Sequence, residues 1–505
     1  MRVPTYLLGW LFLATGCTGM SLGENVPGGD TPVDPTPTQP GEHRMGQVAV
    51  EPDEDQVWVV HEENRNGQTR AHLSAVDPVT GAIHEVMDVS GISDRRVVFP
   101  GADRMILFGE RDGRDHLVLF DTAARRPIRS IEAPTWYWGT RTSPSGRAVV
   151  VADNVDPLAP IHVFDTATLE HQVLEHGGDE IEGMWNHHED VLLALSVSNP
   201  VGGPPLARLL RYDLRDADLA APLPAPTVFW ELAGYGWDYG FSFTWIGISP
   251  DDHWAVFPLI KHTAGPDDLE HVLLVLDQTT GRVAMVPGSG PVGFTRDSRW
   301  IVTYGTDADG DGQDLWLIDP VSHEQRVVDV EVDGLRFTVS RETDHVVCGD
   351  VLGVGVYVYD VAAGAMHTVP LPPTQPELYL GFQDYVTRPG TGELWLESGG
   401  GLYQLSLPEA TVAPVWDGAT LFSSLNVRPS ADQAIGGDGE RARVMRIDMA
   451  THLLEGAILA LPSPFDTGAA DRFPSRSRRA QAGAVRARVR VESPFDPQYR
   501  RVSAP

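Results

Sequence analysis

The stretch Phe294-Thr295-Arg296-Asp297-Ser298-Arg299, then Trp300-Ile301-Val302-Thr303 and, after a loop, Leu315-Trp316-Leu317-Ile318-Asp319, sets out one structural unit. It reads as a strand end, a polar turn, an apolar strand, and a second apolar strand closing on aspartate. The pattern returns along the chain. Thr142-Ser143-Pro144-Ser145-Gly146-Arg147 precedes Ala148-Val149-Val150-Val151, and Ile248-Ser249-Pro250-Asp251-Asp252-His253 precedes Trp254-Ala255-Val256-Phe257. The closing strand recurs as Leu117-Val118-Leu119-Phe120-Asp121, Ile161-His162-Val163-Phe164-Asp165 and Leu273-Leu274-Val275-Leu276-Asp277. A turn with Thr80-Gly81, Thr280-Gly281 or Ala363-Gly364 follows in three units, and then a fourth, edge-like strand. The aspartate accepts from nearby backbone N–H groups and the glycine supplies positive φ, so both are turn chemistry.

Closing positions fall at 77, 121, 165, 213, 277, 319, 360 and 448, with Ser406 in the equivalent place of the eighth unit. Most spacings are 41 to 48 residues; the 213–277 gap is longer and holds a Pro- and aromatic-rich insertion. Four short strands every ~40–45 residues is the period of a propeller blade. The chain from about 45 to 462 is therefore expected to be all-β, a single β-propeller of four-stranded blades. Nine units are counted, yet propellers typically have about 4–8 blades. Eight blades is the central expectation, with seven to nine open.

The 505 residues carry 38 basic and 70 acidic side chains, 38 − 70 = −32. So acidic a surface repels phosphate backbones, and nucleic-acid binding is not expected. Hydrophobic residues at 42% exclude wholesale disorder. Gly 51 and Pro 40 favour many turns over long helices.

Arg2 precedes an apolar run from Tyr6 to Ala14, then Thr15-Gly16-Cys17. A charged start, about ten apolar residues and small residues before a cleavage point describe a secretory signal. The run is too short to span a bilayer, which takes ~20 apolar residues. Its Gly-Cys end resembles the lipobox of bacterial lipoproteins, with Ala14 where leucine is usual. That resemblance implies a signal peptide over 1–16, lipidation of Cys17 as the mature N-terminus, and a membrane anchor. Residues 17–43 are rich in Pro, Gly and Thr, as an extended tether is. Thr18 lacks the aspartate that retains many lipoproteins at the inner membrane, which favours the outer membrane, periplasmic or surface-exposed. Cys348 is the only other cysteine and reads as a buried small hydrophobe, with no disulfide to form.

The repeats resemble the WD40-like units of TolB-type and YVTN-type bacterial propellers over roughly four fifths of the chain. That resemblance implies an envelope propeller that docks other molecules, without fixing an activity. Quinone-dependent propellers carry a tryptophan after each Asp-x-x-Thr-Gly. Val79-Thr80-Gly81-Ala82-Ile83-His84-Glu85 and Thr280-Gly281-Arg282-Val283-Ala284-Met285 lack it, so no quinone is expected. The Ser-x-Asp-x-Gly-x-x-Trp repeat of sialidases is absent. The Gly-x-Ser-x-Gly of an appended hydrolase domain occurs once, as Gly19-Met20-Ser21-Leu22-Gly23, within the tether and not in a further domain.

Two stretches are candidate sites. Asp307-Ala308-Asp309-Gly310-Asp311-Gly312-Gln313-Asp314 places carboxylates at positions 1, 3 and 5 and glycine at 6, as the first half of a calcium loop does. Position 12 is Ile318 in place of the bidentate glutamate. Asp307, Asp309, Asp311, Gln313 and Asp314 are the candidate ligands of a structural Ca2+, and a solvated acidic hairpin is the competing reading. The second stretch, Phe229 to Phe241, sets large rings among glycines, and Trp136-Tyr137-Trp138-Gly139 is similar. Trp136, Trp138, Trp230, Tyr235, Trp237 and Tyr239 are candidates for a peptide or sugar surface, against packing between blades. Propeller geometry brings both stretches to one face. Asn186-His187-His188-Glu189-Asp190 reads as a polar turn, since neighbours on a strand face opposite ways.

The tail 464–505 carries nine arginines and four acids, leaving −37 on the rest. Val485-Arg486-Ala487-Arg488-Val489-Arg490-Val491 alternates with strand period. The tail is expected to be largely disordered, with docking as an edge strand, contact with the acidic propeller, or binding of anionic lipid or a partner left open. The expected whole is a monomeric, lipid-anchored envelope propeller over 44–463. It would act as a non-catalytic binding or scaffold module for an envelope protein or polysaccharide. The alternative is a calcium-dependent hydrolase or lactonase with an axial site.

Overall fold

The computed structural model describes residues 42–460, apart from 52–55, 66–67, 102, 112–113, 133–138, 153–160, 201–202, 237–245, 263–268, 307–312, 331–334, 351–355, 370–384, 399–400, 417–421 and 439–442, together with 483–485 and 489–492. The leader, Cys17 and residues 18–41 lie outside them.

Every one of the nine sequence units becomes a blade, so the ring stands at the upper end of the expected range. Blades 1 to 9 cover 42–88, 93–132, 139–173, 180–233, 235–287, 289–328, 335–369, 385–416 and 422–460. Each is an antiparallel meander of four consecutive strands. In blade 5 the first strand is in two pieces, Tyr235–Gly236 and Gly247–Ile248, both paired with Trp254–His262. The aromatic insertion of the long 213–277 gap thus interrupts a strand and adds no blade. The regular structure described is strand throughout except for one 3-10 turn, Pro429–Ala431.

Apolar side chains form nine buried clusters, one for each pair of adjacent blades, including the pair formed by the last and the first. Alternation within a strand explains the pattern. Val149 and Val151 face blade 2, whereas Ala148 and Val150 face blade 4. Ala255 and Phe257 face blade 4, and Val256 faces blade 6. A sheet covered on both faces needs apolar residues at every position, which is why the middle strands read as unbroken hydrophobic runs. Each Val, Leu or Phe so buried stabilises by roughly 1.5–3 kcal/mol relative to exposure.

The closing residues turn the chain from third to fourth strand. Asp277 accepts from the N–H groups of Thr279 and Thr280 at 2.9 and 3.0 Å, and Gly281 donates to the Asp277 carbonyl at 2.8 Å. Four residues after the closing position, φ is positive at Gly81, Gly281 and Gly364, and also at Arg125, Leu169, His323, Ala410 and His452.

Turns between first and second strands grip the next blade. Asp252 of blade 5 accepts from the N–H groups of His187 and His188 at 2.7 and 2.9 Å, and the His188 ring Nε2 donates to the Pro250 carbonyl at 3.1 Å. Asp190 of blade 4 accepts from the backbone and hydroxyl of Ser145. The Arg388 guanidinium holds Asp432 across blades 8 and 9, Nε to Oδ1 at 2.7 Å. The polar turn 186–190 is therefore a latch between blades.

Among the described residues, blades 1 and 9 exchange no strand. They meet through Val48, Val57, Val59, Val76, Ile435 and Val444. Asn426 Nδ2 donates to the Val48 carbonyl at 3.0 Å, and an Arg446 guanidinium nitrogen to the Pro78 carbonyl at 2.9 Å.

Two segments of the arginine-rich tail are strands. Val489–Glu492 pairs with the outer strand of blade 6 and Gly483–Val485 with that of blade 7, making each a five-stranded sheet.

Candidate functional site

In an antiparallel meander the hairpin between second and third strands and the link from one blade to the next open at the same end. Two such junctions and the first piece of an interrupted strand mark that end. Arg126–Glu132 finishes blade 2 and Gly139–Thr142 begins blade 3, flanking 133–138. Tyr235–Gly236 pairs with Lys261 and Ile260, at the hairpin end of Trp254–His262, just before 237–245. Thr306 faces Gln313 across the strand pair that flanks 307–312.

Trp136, Trp138, Trp237, Tyr239, Asp307, Asp309 and Asp311 lie outside the described residues. Gln313 begins a strand, and Asp314, partly exposed, sits opposite Gly305. Trp230 and Tyr235 are 6% and 7% exposed and belong to the cluster between blades 4 and 5, their rings 6.1 Å apart and edge to face. These two rings pack. Among the described residues, no group of three His, Cys, Asp or Glu side chains is placed to hold one metal ion.

The inner strands bring together a charged pair. Arg141 lies on the first strand of blade 3 and Glu182 on that of blade 4. Glu182 is 8% exposed and its Oε1 has no hydrogen-bond partner. Burial pushes its carboxyl up to about 8, against the opposing pull of the Arg141 charge. Burial likewise lowers the Arg141 guanidinium, with Glu182 pulling it back. Trp185 Nε1 donates to the Arg141 carbonyl at 3.0 Å, fixing the two strands together. The signal was Glu180-Ile181-Glu182-Gly183, two carboxylates on a strand otherwise facing a core.

The sign of the pH effect follows. With a folded value near 8 and an unfolded one near 4.5, the folded chain holds the extra proton between those limits. Stability from this group is full below pH ~4.5 and falls as pH rises to ~8. Glu182→Gln is expected to flatten that fall, by on the order of 3 kcal/mol between pH 5 and 8 in urea unfolding. Parallel curves for the two proteins would show that Glu182 ionises freely.

Other buried polar groups sit at blade interfaces. His162, 3% exposed, has both ring nitrogens unpartnered, and burial first and then His171 lower it to about 4. Cys348 is free and fully buried, and burial pushes its thiol up. An open pocket of ≈ 410 Å³ on the outer flank of blades 2 and 3 is lined by Arg129, Glu132, Glu170, His171 and Gln172 among others.

No protein family and no curated protein matches the sequence. Solved structures resemble it at low identity. Hydrazine synthase of Kuenenia stuttgartiensis is 14% identical, with 80% of this chain and 95% of that one covered and a TM-score of 0.38. The dihydro-heme d1 dehydrogenase NirN is 13% identical over 72% of this chain and 74% of that one, with a TM-score of 0.45. The β-propeller domain of the Trilobed protease from Pyrococcus furiosus, described as having an open velcro topology, is 10% identical over 66% and 94%, with a TM-score of 0.32. The last of these is, like this chain, a β-propeller.

Proposed function

We propose that the chain is a lipid-anchored propeller of the bacterial cell envelope that binds or scaffolds an envelope protein or polysaccharide without catalysing a reaction. The observation that carries this reading is that the strand pieces preceding 133–138, 237–245 and 307–312 finish at one end of a ring whose blades are locked to one another. The strands flanking 133–138 and 307–312 open there, and 237–245 follows Tyr235–Gly236 at that end before the strand resumes at Gly247–Ile248. Loops on a rigid frame are where binding residues collect. The aromatic composition of the first two, with Trp136, Trp138, Trp237 and Tyr239, suits a peptide or a sugar ring. The acidic third, with Asp307, Asp309 and Asp311, suits a structural Ca2+ that would stiffen that end. Anchoring through Cys17 and the 17–43 tether would hold the ring clear of the membrane, the outer membrane being favoured.

In-cell crosslinking of the tagged full-length chain tests the reading. One defined envelope protein or polysaccharide should be captured reproducibly. Its yield should drop roughly tenfold or more in Trp136→Ala/Trp237→Ala, the scale of losing binding hot spots. Cys17→Ala should move the protein from the membrane to the soluble fraction. Specific capture unaffected by the tryptophan changes would put the binding surface elsewhere. Calcium-dependent ester or lactone hydrolysis by the purified chain, lost in Asp307→Asn, would replace the scaffold by an enzyme.

A further inference from the structure

The outer edges of the nine blades differ. In blades 1, 2, 4, 8 and 9 the ladder between third and fourth strands contains a register shift. Such a bulge spoils an edge as a template for further pairing. The fourth strand of blade 3 has only three residues, His171–Val173. That of blade 5 ends on Pro287, which has no N–H to donate. Blades 6 and 7 carry none of these devices. Their outer strands Gln325–Val328 and Ala365–Val369 contain no proline and keep unbroken register with their third strands. A regular edge of unpaired N–H and C=O groups invites another strand.

Those two edges are the ones the tail covers. Gln325, Arg326, Val327 and Val328 face Glu492, Val491, Arg490 and Val489. Met366, His367 and Thr368 face Val485, Ala484 and Gly483. No residue of either edge strand is exposed, whereas six of the seven in Arg126–Glu132 of blade 2 are. Three residues separate Val485 from Val489, so a single short segment serves both edges. Charge favours the match, since the tail's nine arginines and four acids meet a remainder of net −37.

We propose that the outer edges of blades 6 and 7 form a strand-docking surface for an extended segment in which apolar residues alternate with arginine, and that 483–492 is its occupant within the same chain. Strand addition of this kind divides its labour. Main-chain hydrogen bonds supply the binding, and alternate side chains supply the selectivity. The arginines add an attraction that salt weakens. The surface lies on the rim and is distinct from the loop end, so it stands whether or not the loop end binds a partner.

Two measurements on the full chain test it, both in a Cys17→Ala background, with Cys348 buried and unreactive. Val327→Cys with Arg490→Cys is expected to form a disulfide within one chain under mild oxidation. Val327→Cys with Val491→Cys, one position out of register, should form little. A disulfide only between chains would make a second copy the occupant, and no disulfide in the first pair would remove the pairing; either overturns the proposal. The second measurement is binding of a labelled peptide of sequence 480–493. The chain carrying Val485→Pro/Val491→Pro, whose edges are freed, should bind it roughly tenfold or more tightly than the unaltered chain, and added sodium chloride should weaken that binding. Equal binding by both, or binding by neither, would show that the edges are not a docking surface.

Discussion

Ile435→Asp is expected to open the ring between blades 9 and 1 while the individual blades keep their strand content. Ile435 is fully buried among Val48, Val57, Val59, Val76 and Val444. Among the described residues this cluster holds six side chains, against sixteen between blades 4 and 5. Among the described residues no aromatic ring contributes to it and no strand is shared across it. An unpaired carboxylate there costs on the order of 5 kcal/mol, part of which the group escapes by taking up a proton. Neither a shared strand nor a connecting loop ties the two blades together, so this junction should yield before the ring unfolds. Hydrogen exchange should therefore accelerate in Glu42–Val50 and Phe422–Arg428 while far-ultraviolet circular dichroism is retained. Leu274→Asp, in the largest cluster, should instead unfold the chain. If Ile435→Asp also abolished all strand signal, closure between the two terminal blades would be as strong as any other contact in the ring.

Gly146→Ala should be the most damaging of the small substitutions. Gly146 has φ +74°, and an added Cβ would stand 1.8 Å from the Pro100 carbonyl oxygen and 2.8 Å from its carbon. Backbone strain and the forced separation of blades 2 and 3 together cost roughly 3–5 kcal/mol. Gly390→Ala isolates the first of these. Its φ is +71° but nothing lies within 4 Å of the added atom, so only about 1–2 kcal/mol is expected. Urea unfolding of the two variants separates strain from collision. Equal losses would mean that the turn at 143–146 can withdraw from Pro100 without harm to the interface.

Blade identity was legible because it rests on local chemistry. An aspartate at a strand end, a turn, and an unbroken apolar run each leave their mark within ten residues of sequence. The number of blades was less so, since the interrupted strand of blade 5 looks from its length like an insertion. Arg125, Leu169, His323, Ala410 and His452 occupy a left-handed position that glycine marks in the other units, and nothing in their chemistry announces it. The surrounding hairpin imposes the conformation. Trp230 and Tyr235 showed aromatic composition but not direction; their burial depends on how blade 4 meets blade 5. The alternation at 485–491 indicated a strand, while its partners lie more than a hundred residues away. Glu182 and Arg141 come from different blades, and their meeting is a property of the ring.

Because the first and last blades are each built from four consecutive strands, every sequence repeat coincides with a whole structural module. A tandem duplication or deletion of one repeat at the gene level would add or remove a complete blade and leave no half-finished sheet at the junction. Neighbouring blades would need only a small change in the angle between them. A fold of this design can change its circumference in single steps during evolution, and nine blades is one stage such a lineage can reach.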